Sequence, residues 1–539
     1  MKRFPLKQFF NFCHDDPLLD YLNRYGKKLG FAKDNEFSKY NKNLSFDYFL
    51  EEKTAQFKSL IIEKIKANPK IQNIFTNPVD LKNCMLQQPH VICNAKLENN
   101  TITAHADLLI RSDIFHEIFN EEPFSFSTRY ILINIHYCSI KINTEKNKVL
   151  TSNKTMYYNK FYNHMSMEIL NEIQDLPVHF SYLMGRKYTC NKGLITSNCF
   201  KKLGKVEKED DFTSTFESGL SWLRLLELPN ALEIGKGNLF PNMCNSEDAP
   251  WHHAKKQIAA SLKEITSVWN CGVNNRSMAS LKNIHNWQDP ECCSSSLGHK
   301  MSGKTSIIID NILNVNRSNS AYTLQKKLTL DLNDLIFYID FETVNNLIDD
   351  FKTFPNCYIG NVIFNIGCGW SFKNGPFVFK SFFIDNACLK EEKNMLISFF
   401  THIASIVKMH NANTYSLYHW HNAEINFMND AFMRHPELYQ KDFVPNCVDL
   451  KKIFMDHTLV INGSLNYKLK SICRALYNLN FINSKWGNSF ADGLAAMICY
   501  IRYSTKPEEY TSLIQEIKEY NRLDCLVMYE ILGWLKKIE

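Results

Sequence analysis

The chain has 539 residues, more than one hydrophobic core accommodates, so several domains are expected. Hydrophobic residues make up 45% and charged residues 22%, which excludes an intrinsically disordered chain. The net charge of +6 permits nucleic-acid binding without arguing for it, because a local basic groove matters more than the total.

In chain order, the first zone, 1–204, carries a helical pattern at 57–67, strand-like runs at 106–110 and 130–135, and a second helical pattern at 156–173. A charged break at 205–211 reads as a loop and opens a mostly helical zone, 205–330, with apolar helical spacing at 222–228 and 258–269. The third zone, 331–539, begins with Leu335–Asp340, an apolar run suited to a strand buried on both faces. Strand-like runs follow at 362–366, 377–383 and 415–420, and helical patterns at 394–407, 469–476 and 514–537. Strands followed by helices make the zone α/β, and the whole chain a multidomain α/β protein. The 17 cysteines form no framework, and Met1-Lys2-Arg3-Phe4 leads into no apolar segment. Reduced thiols and a cytoplasmic location are therefore expected. No apolar run is long enough to span a bilayer, so no membrane association is expected.

Three local patterns carry chemistry. Asp340 and Glu342 form an Asp-x-Glu pair at the end of a buried strand, where positions i and i+2 share a face. Two carboxylates there repel each other and lose hydration, and a hard divalent cation relieves both costs. Taken alone, such a pair is common and more often an ordinary polar strand end. Glu424 opens a helical segment just past a strand, a place where α/β proteins collect active-site groups and where the helix dipole also favours an acid. Tyr520 and Asp524 lie four residues apart on the final helix and so share a face.

Taken in order, Asp340-Phe341-Glu342, Glu424 and Tyr520-x-x-x-Asp524 resemble the signature of the RNase H-like, DnaQ-type exonucleases, in the variant that uses tyrosine (DEDDy). Val448-Asp449-Leu450-Lys451, and Gly463-Ser464-Leu465-Asn466 followed by Leu469-Lys470-Ser471-Ile472, are similar to further segments of that family. One departure is Glu424, which stands where most members carry Asp; the branch fused to RecB-like nucleases often shows Glu there. The resemblance implies two Mg²⁺ or Mn²⁺ ions held by Asp340, Glu342, Glu424 and Asp524, with Tyr520 orienting the attacking water. Asp449 is an auxiliary carboxylate candidate, while Arg522 and Lys518 read as a solvated helix face. The implied activity is 3′→5′ hydrolysis of nucleic-acid ends, with single-stranded DNA preferred over RNA.

In the first zone, Ala104–Arg111 followed by Tyr130–Lys141 resembles a RecB-like PD-(D/E)XK nuclease core, and Leu183-Met184-Gly185-Arg186 resembles a further feature of it. Asp107 matches that family's second acid. Asn134 and His136 stand where its acid-x-lysine belongs, Lys58 stands where its helix acid belongs, and the usual glutamine near Tyr162 is missing. The implied site is degenerate, a platform that holds nucleic acid without cutting it. Residues 264–289 of the middle zone resemble a helix–hairpin–helix, although two packed helices joined by a glycine turn explain them equally well. The arrangement as a whole is similar to RecB-like/RNase H-like fusions carried by large DNA viruses. The competing reading is a non-catalytic replication scaffold built from two decayed nuclease folds.

Overall fold

The computed structural model describes residues 2–34, 44–124, 128–143, 145–175, 177–190, 195–196, 198–228, 232–300, 302–356, 360–438, 446–486 and 493–539. Two compact units emerge: Met1–Tyr40 with Asp47–Ile258 and Asp349–Ile359, and Asn41–Phe46 with Ala259–Ile348 and Gly360–Glu539. Residues 205–330 are divided between the two units. Their N-terminal part joins the first unit, where Trp222 Nε1 donates to Asp20 Oδ2 at 3.0 Å. Their C-terminal part joins the second, where Ile308, Ile309, Ile312 and Leu313 enter the core.

The first unit contains α1 (Leu18–Tyr25), α2 (Phe46–Lys66), β1 (Ile74–Thr76), β2 (Val91–Glu98), β3 (Ile102–Arg111), β4 (Tyr130–Ile142), α3 (Lys154–Gln174), β5 (Phe180–Cys190), β6 (Gly204–Glu207) and α4 (Phe212–Leu225). Phe57, Ile61 and Ile65, spaced by four, are the buried stripe of α2. In the sheet, β2, β3 and β4 pair antiparallel, and α3 then crosses over to place β5 parallel to β4. The break expected at 205–211 instead starts as strand β6, antiparallel to β5. Val206 faces inward while Lys205 and Glu207 pair on the outside at 2.9 Å, an alternation too short to stand out in the sequence.

Helix α5 (His252–Leu262) runs across the division between the units. The helix–hairpin–helix expected at 264–289 is not formed. Lys263, at φ 53°, ends α5, Ile265–Ser267 makes a 3-10 turn, and only α6 (Val273–Ser280) is helical. Asn283, at φ 59°, turns the chain away, and residues 284–289 carry no helix.

The second unit continues with α7 (Lys304–Arg317), β7 (Tyr322–Leu324), β8 (Leu335–Val344), β9 (Val362–Phe372), β10 (Val378–Phe383), α8 (Leu389–Met409), β11 (Tyr415–His419) and α9 (Ala423–Arg434). It ends with β12 (Asn446–Asp449), α10 (Leu450–Asp456), β13 (Leu459–Ile461), α11 (Leu469–Asn478), α12 (Gly493–Tyr503) and α13 (Pro507–Ile538). Its main sheet has the order β10-β9-β8-β11-β12. The first three strands form an antiparallel meander, and β11 and β12 run parallel to β8. Strand β8 is central: Leu335, Ile336, Phe337, Tyr338 and Ile339 are all fully buried, as a strand covered on both faces requires. Helix α13 lies against β8 and β9. Gly367 and Gly369 allow that approach, since a Cβ on Gly369 would sit 3.4 Å from Cys525 Cβ of α13 and 2.3 Å from the Phe377 ring.

Candidate metal-dependent active site

Strand β8 carries its apolar run up to Ile339 and then presents Asp340 and Glu342, opposite Gly367 and Asn365 of β9. The pairing shifts between Glu342 and Thr343, so the ladder is irregular at the acids themselves, a common device for aiming functional side chains. Helix α13 brings Asp524 over the same strand end. One carboxylate oxygen from each of Asp340, Glu342 and Asp524 falls within 4.8 Å of the others. Glu342 and Asp524 are buried, and Asp340 is half-buried.

Glu424 lies outside that triplet but close beside it, near enough for its charge to act on Asp340 and Asp524. It enters from the first turn of α9, just past β11. The turn that launches it is fixed on both sides. His421 takes a left-handed conformation at φ 72°, its N–H donates to Asp449 Oδ1 at 2.9 Å, and its carbonyl accepts from His419 Nδ1. Asp449, expected as an auxiliary ligand, thus holds the backbone that positions Glu424. Glu424 Oε2 is buried with no hydrogen-bond partner among the described residues.

The electrostatics are those of crowded, desolvated acid. Burial pushes the Asp340 carboxyl up to about 6, against the opposing help of Asn521 and Lys470. Burial, followed by repulsion from Asp340, pushes Glu424 and Asp524 well above the carboxylate range. Such a cluster favours either protons or a cation.

Tyr520 is half-buried one turn before Asp524, with the Lys470 ammonium 4.9 Å from the centre of its ring. Arg522 spends its guanidinium on Glu519, at 2.6 and 2.7 Å, and Lys518 lies over the Phe383 ring at 4.4 Å.

Residues 358–536 match the sequence model of the RNase H superfamily. The second unit carries an RNase H-like domain. Its sheet and the site at the end of its central strand lie within or beside the matched residues. No curated protein matches the chain. RNase H-like nucleases act with divalent metals, and this donor set fits one. It offers all-oxygen ligands, excess negative charge, and a buried carboxylate oxygen on Glu424 with no hydrogen-bond partner among the described residues. Asp340, Glu342 and Asp524 would hold the ion, with Glu424 reaching toward it.

Three contributors went unread in the sequence. Asn521 is fully buried, and its Nδ2 donates to Asp340 Oδ2 at 2.6 Å and to the Asp340 carbonyl at 3.0 Å. Trp486 Nε1 donates to Asp524 Oδ1 at 3.1 Å. Gly367 makes room for Asn521, because a Cβ there would meet Asn521 Oδ1 at 2.0 Å. A polar Asn directly after Tyr520, inside the final helix, was the one available signal.

In the first unit the four residues expected at a degenerate site do converge. Lys58 Nζ is 2.6 Å from Asp107 Oδ1, Asp107 Oδ2 accepts from Ile135 N at 2.7 Å, and Asp107 N donates to Asn134 Oδ1 at 3.0 Å. Asn134 in turn donates to Asn163 at 2.7 Å. Burial pulls His136 down to about 4, so at neutral pH it is uncharged. The lysine ammonium sits against the one acid, and each neutralises the other. Arg186 is buried as well, over the Tyr137 ring at 5.0 Å and 3.7 Å from the buried Asp349 carboxylate.

Proposed function

We propose that the RNase H-like unit is a metal-dependent nuclease that shortens single-stranded DNA from its 3′ end. The oxygen triplet of Asp340, Glu342 and Asp524 carries this reading. With Glu424 they would hold two Mg²⁺ or Mn²⁺ ions. Ions bound there supply phosphate charge neutralisation and an activated water for phosphodiester hydrolysis. Tyr520, one turn from Asp524 on α13, orients the attacking water through its hydroxyl. Asn521 and Trp486 fix the carboxylates of Asp340 and Asp524 from behind.

End-labelled single- and double-stranded DNA and RNA, incubated with Mg²⁺ or Mn²⁺, test this. The expected product is a ladder from 3′ shortening of single-stranded DNA, absent in EDTA. Tyr520→Phe should slow the reaction by about a hundredfold while leaving Mn²⁺ binding intact. No cleavage of any of these substrates by a preparation that binds Mn²⁺ would sink the nuclease reading.

We further propose that the first unit is a PD-(D/E)XK-like fold that does not cut. The element order α2-β2-β3-β4-α3-β5 supports the likeness, and the Lys58–Asp107 pair supports the loss of metal binding. Asp107→Asn in the full chain should leave the cleavage rate unchanged. Cleavage that survives Asp340→Asn but disappears on Asp107→Asn would reverse the assignment of the two units.

A further inference from the structure

Lys470 stands second in α11, at the edge of the carboxylate cluster. The turn before it is closely tied. Gly463 N donates to Asn316 Oδ1 at 2.8 Å, Trp269 N to the Leu465 carbonyl at 2.8 Å, and Trp420 Nε1 to the Tyr467 carbonyl at 3.2 Å. The start of α11 is thereby anchored to three separate segments of the unit. From it, the Lys470 ammonium reaches over two aromatic faces, 4.9 Å from the Tyr520 ring centre and 6.0 Å from that of Trp486. Those rings are not incidental: Trp486 holds Asp524, and Tyr520 precedes Asp524 by one turn. An ammonium over aromatic faces is attracted to them by the ring quadrupoles.

Charge balance gives this cation a task. Four carboxylates and two divalent cations cancel. An incoming phosphodiester adds one negative charge, and Lys470, a side-chain cation whose charge acts on Asp340 and Asp524, would balance it. A lysine is suited to this as a compact point charge with three donors.

We propose that Lys470 is a substrate-positioning residue that contacts a non-bridging oxygen of the terminal phosphodiester in the RNase H-like site. This rests on the nuclease reading above and names a residue that recognises the phosphate. The aromatic faces of Tyr520 and Trp486 set the height of the ammonium beside the acids. Arginine, with a broader head, should restore part of what alanine removes.

The test pairs protein and substrate changes in the full-length protein. Wild type, Lys470→Ala and Lys470→Arg are compared for binding of a single-stranded DNA oligomer in Ca²⁺, which allows occupancy without turnover. The oligomer carries either a normal terminal phosphodiester or an uncharged methylphosphonate in its place. Lys470→Ala should weaken binding of the normal oligomer by about tenfold or more, the range for a hydrogen bond to a charged group. It should leave binding of the methylphosphonate oligomer nearly unchanged, with Lys470→Arg intermediate. In a parallel titration without DNA, Mn²⁺ should bind Lys470→Ala at least as tightly as wild type, since a repelling charge has gone. Equal weakening for both oligomers, or no weakening, overturns the proposal. Loss of Mn²⁺ binding in Lys470→Ala also overturns it, because the lysine would then only be supporting the acids. A wild-type protein that binds Mn²⁺ and the oligomer but cleaves nothing in Mg²⁺ or Mn²⁺ instead strikes the nuclease reading, and this inference with it.

Discussion

Asp340→Asn should abolish metal-dependent cleavage while leaving the protein folded. The substitution removes one charge from the triplet with Glu342 and Asp524 and changes the side-chain volume little. The apo protein should if anything gain stability, because Asp340 contributes to the repulsion felt by Glu424 and Asp524. The gain is limited by the neighbour: Asn521 Nδ2, now 2.6 Å from a carboxylate oxygen, must keep an acceptor there, and the asparagine amide can supply its oxygen. Cleavage should fall by more than roughly a hundredfold, beyond the usual cost of losing a merely supporting residue. Two thermal melts, with and without Mn²⁺, check the cause. Wild type should gain melting temperature on adding Mn²⁺ by mass action, and Asp340→Asn should lose most of that gain. A variant that keeps both the Mn²⁺-induced shift and the cleavage would remove Asp340 from the site.

Gly367→Ala should be costly in both stability and activity, although Gly367 touches no substrate. It faces Asp340 across the β8–β9 ladder, and a Cβ there would lie 2.0 Å from Asn521 Oδ1, 2.7 Å from Asn521 Cγ and 3.1 Å from Cys525 Sγ. Asn521 is fully buried and bonded to Asp340, and Cys525 is fully buried beside it, so neither has an open path of retreat. The added methyl must push α13 away from the sheet, carrying Tyr520 and Asp524 with it. Overpacking of this kind costs about 1–3 kcal/mol. Cleavage should fall with it, since a displacement of about an ångström at a catalytic group can cost roughly a hundredfold. Denaturant melts and single-turnover rates read the two effects separately. Pairing with Asn521→Ala tests the route: the double variant should recover stability lost by Gly367→Ala, because the clashing amide is gone. Wild-type stability in Gly367→Ala alone would show that the helix is not held where the ladder implies.

The sequence showed most clearly what depends on local spacing. An Asp-x-Glu closing an apolar run, and a tyrosine and an aspartate one helical turn apart, are patterns that strand and helix periodicity make readable. Glu424 was readable as a residue just past a strand, but the turn that aims it was not. That turn depends on Asp449 bonding to His421, 28 residues away. The support of Asp340 by Asn521 spans 181 residues, and a polar residue inside the final helix is its one local trace. The placement of the middle region was hidden for the same reason: Trp222 finds its partner Asp20 at a separation of 202 residues. In the first unit the substituted positions were legible, but the pairing of Lys58 with Asp107, 49 residues away, was not.

The central claim, that the end of the β8 strand is a divalent-metal site serving hydrolysis, is tested most directly by crystals soaked in Mn²⁺ and measured at the manganese absorption edge. The account predicts anomalous density ~2.1 Å from carboxylate oxygens of Asp340, Glu342 and Asp524, at the spacing hard octahedral ions demand, with Glu424 turned toward it. Saturating Mn²⁺ that leaves no density among these four acids, or places it only elsewhere on the protein, would contradict it.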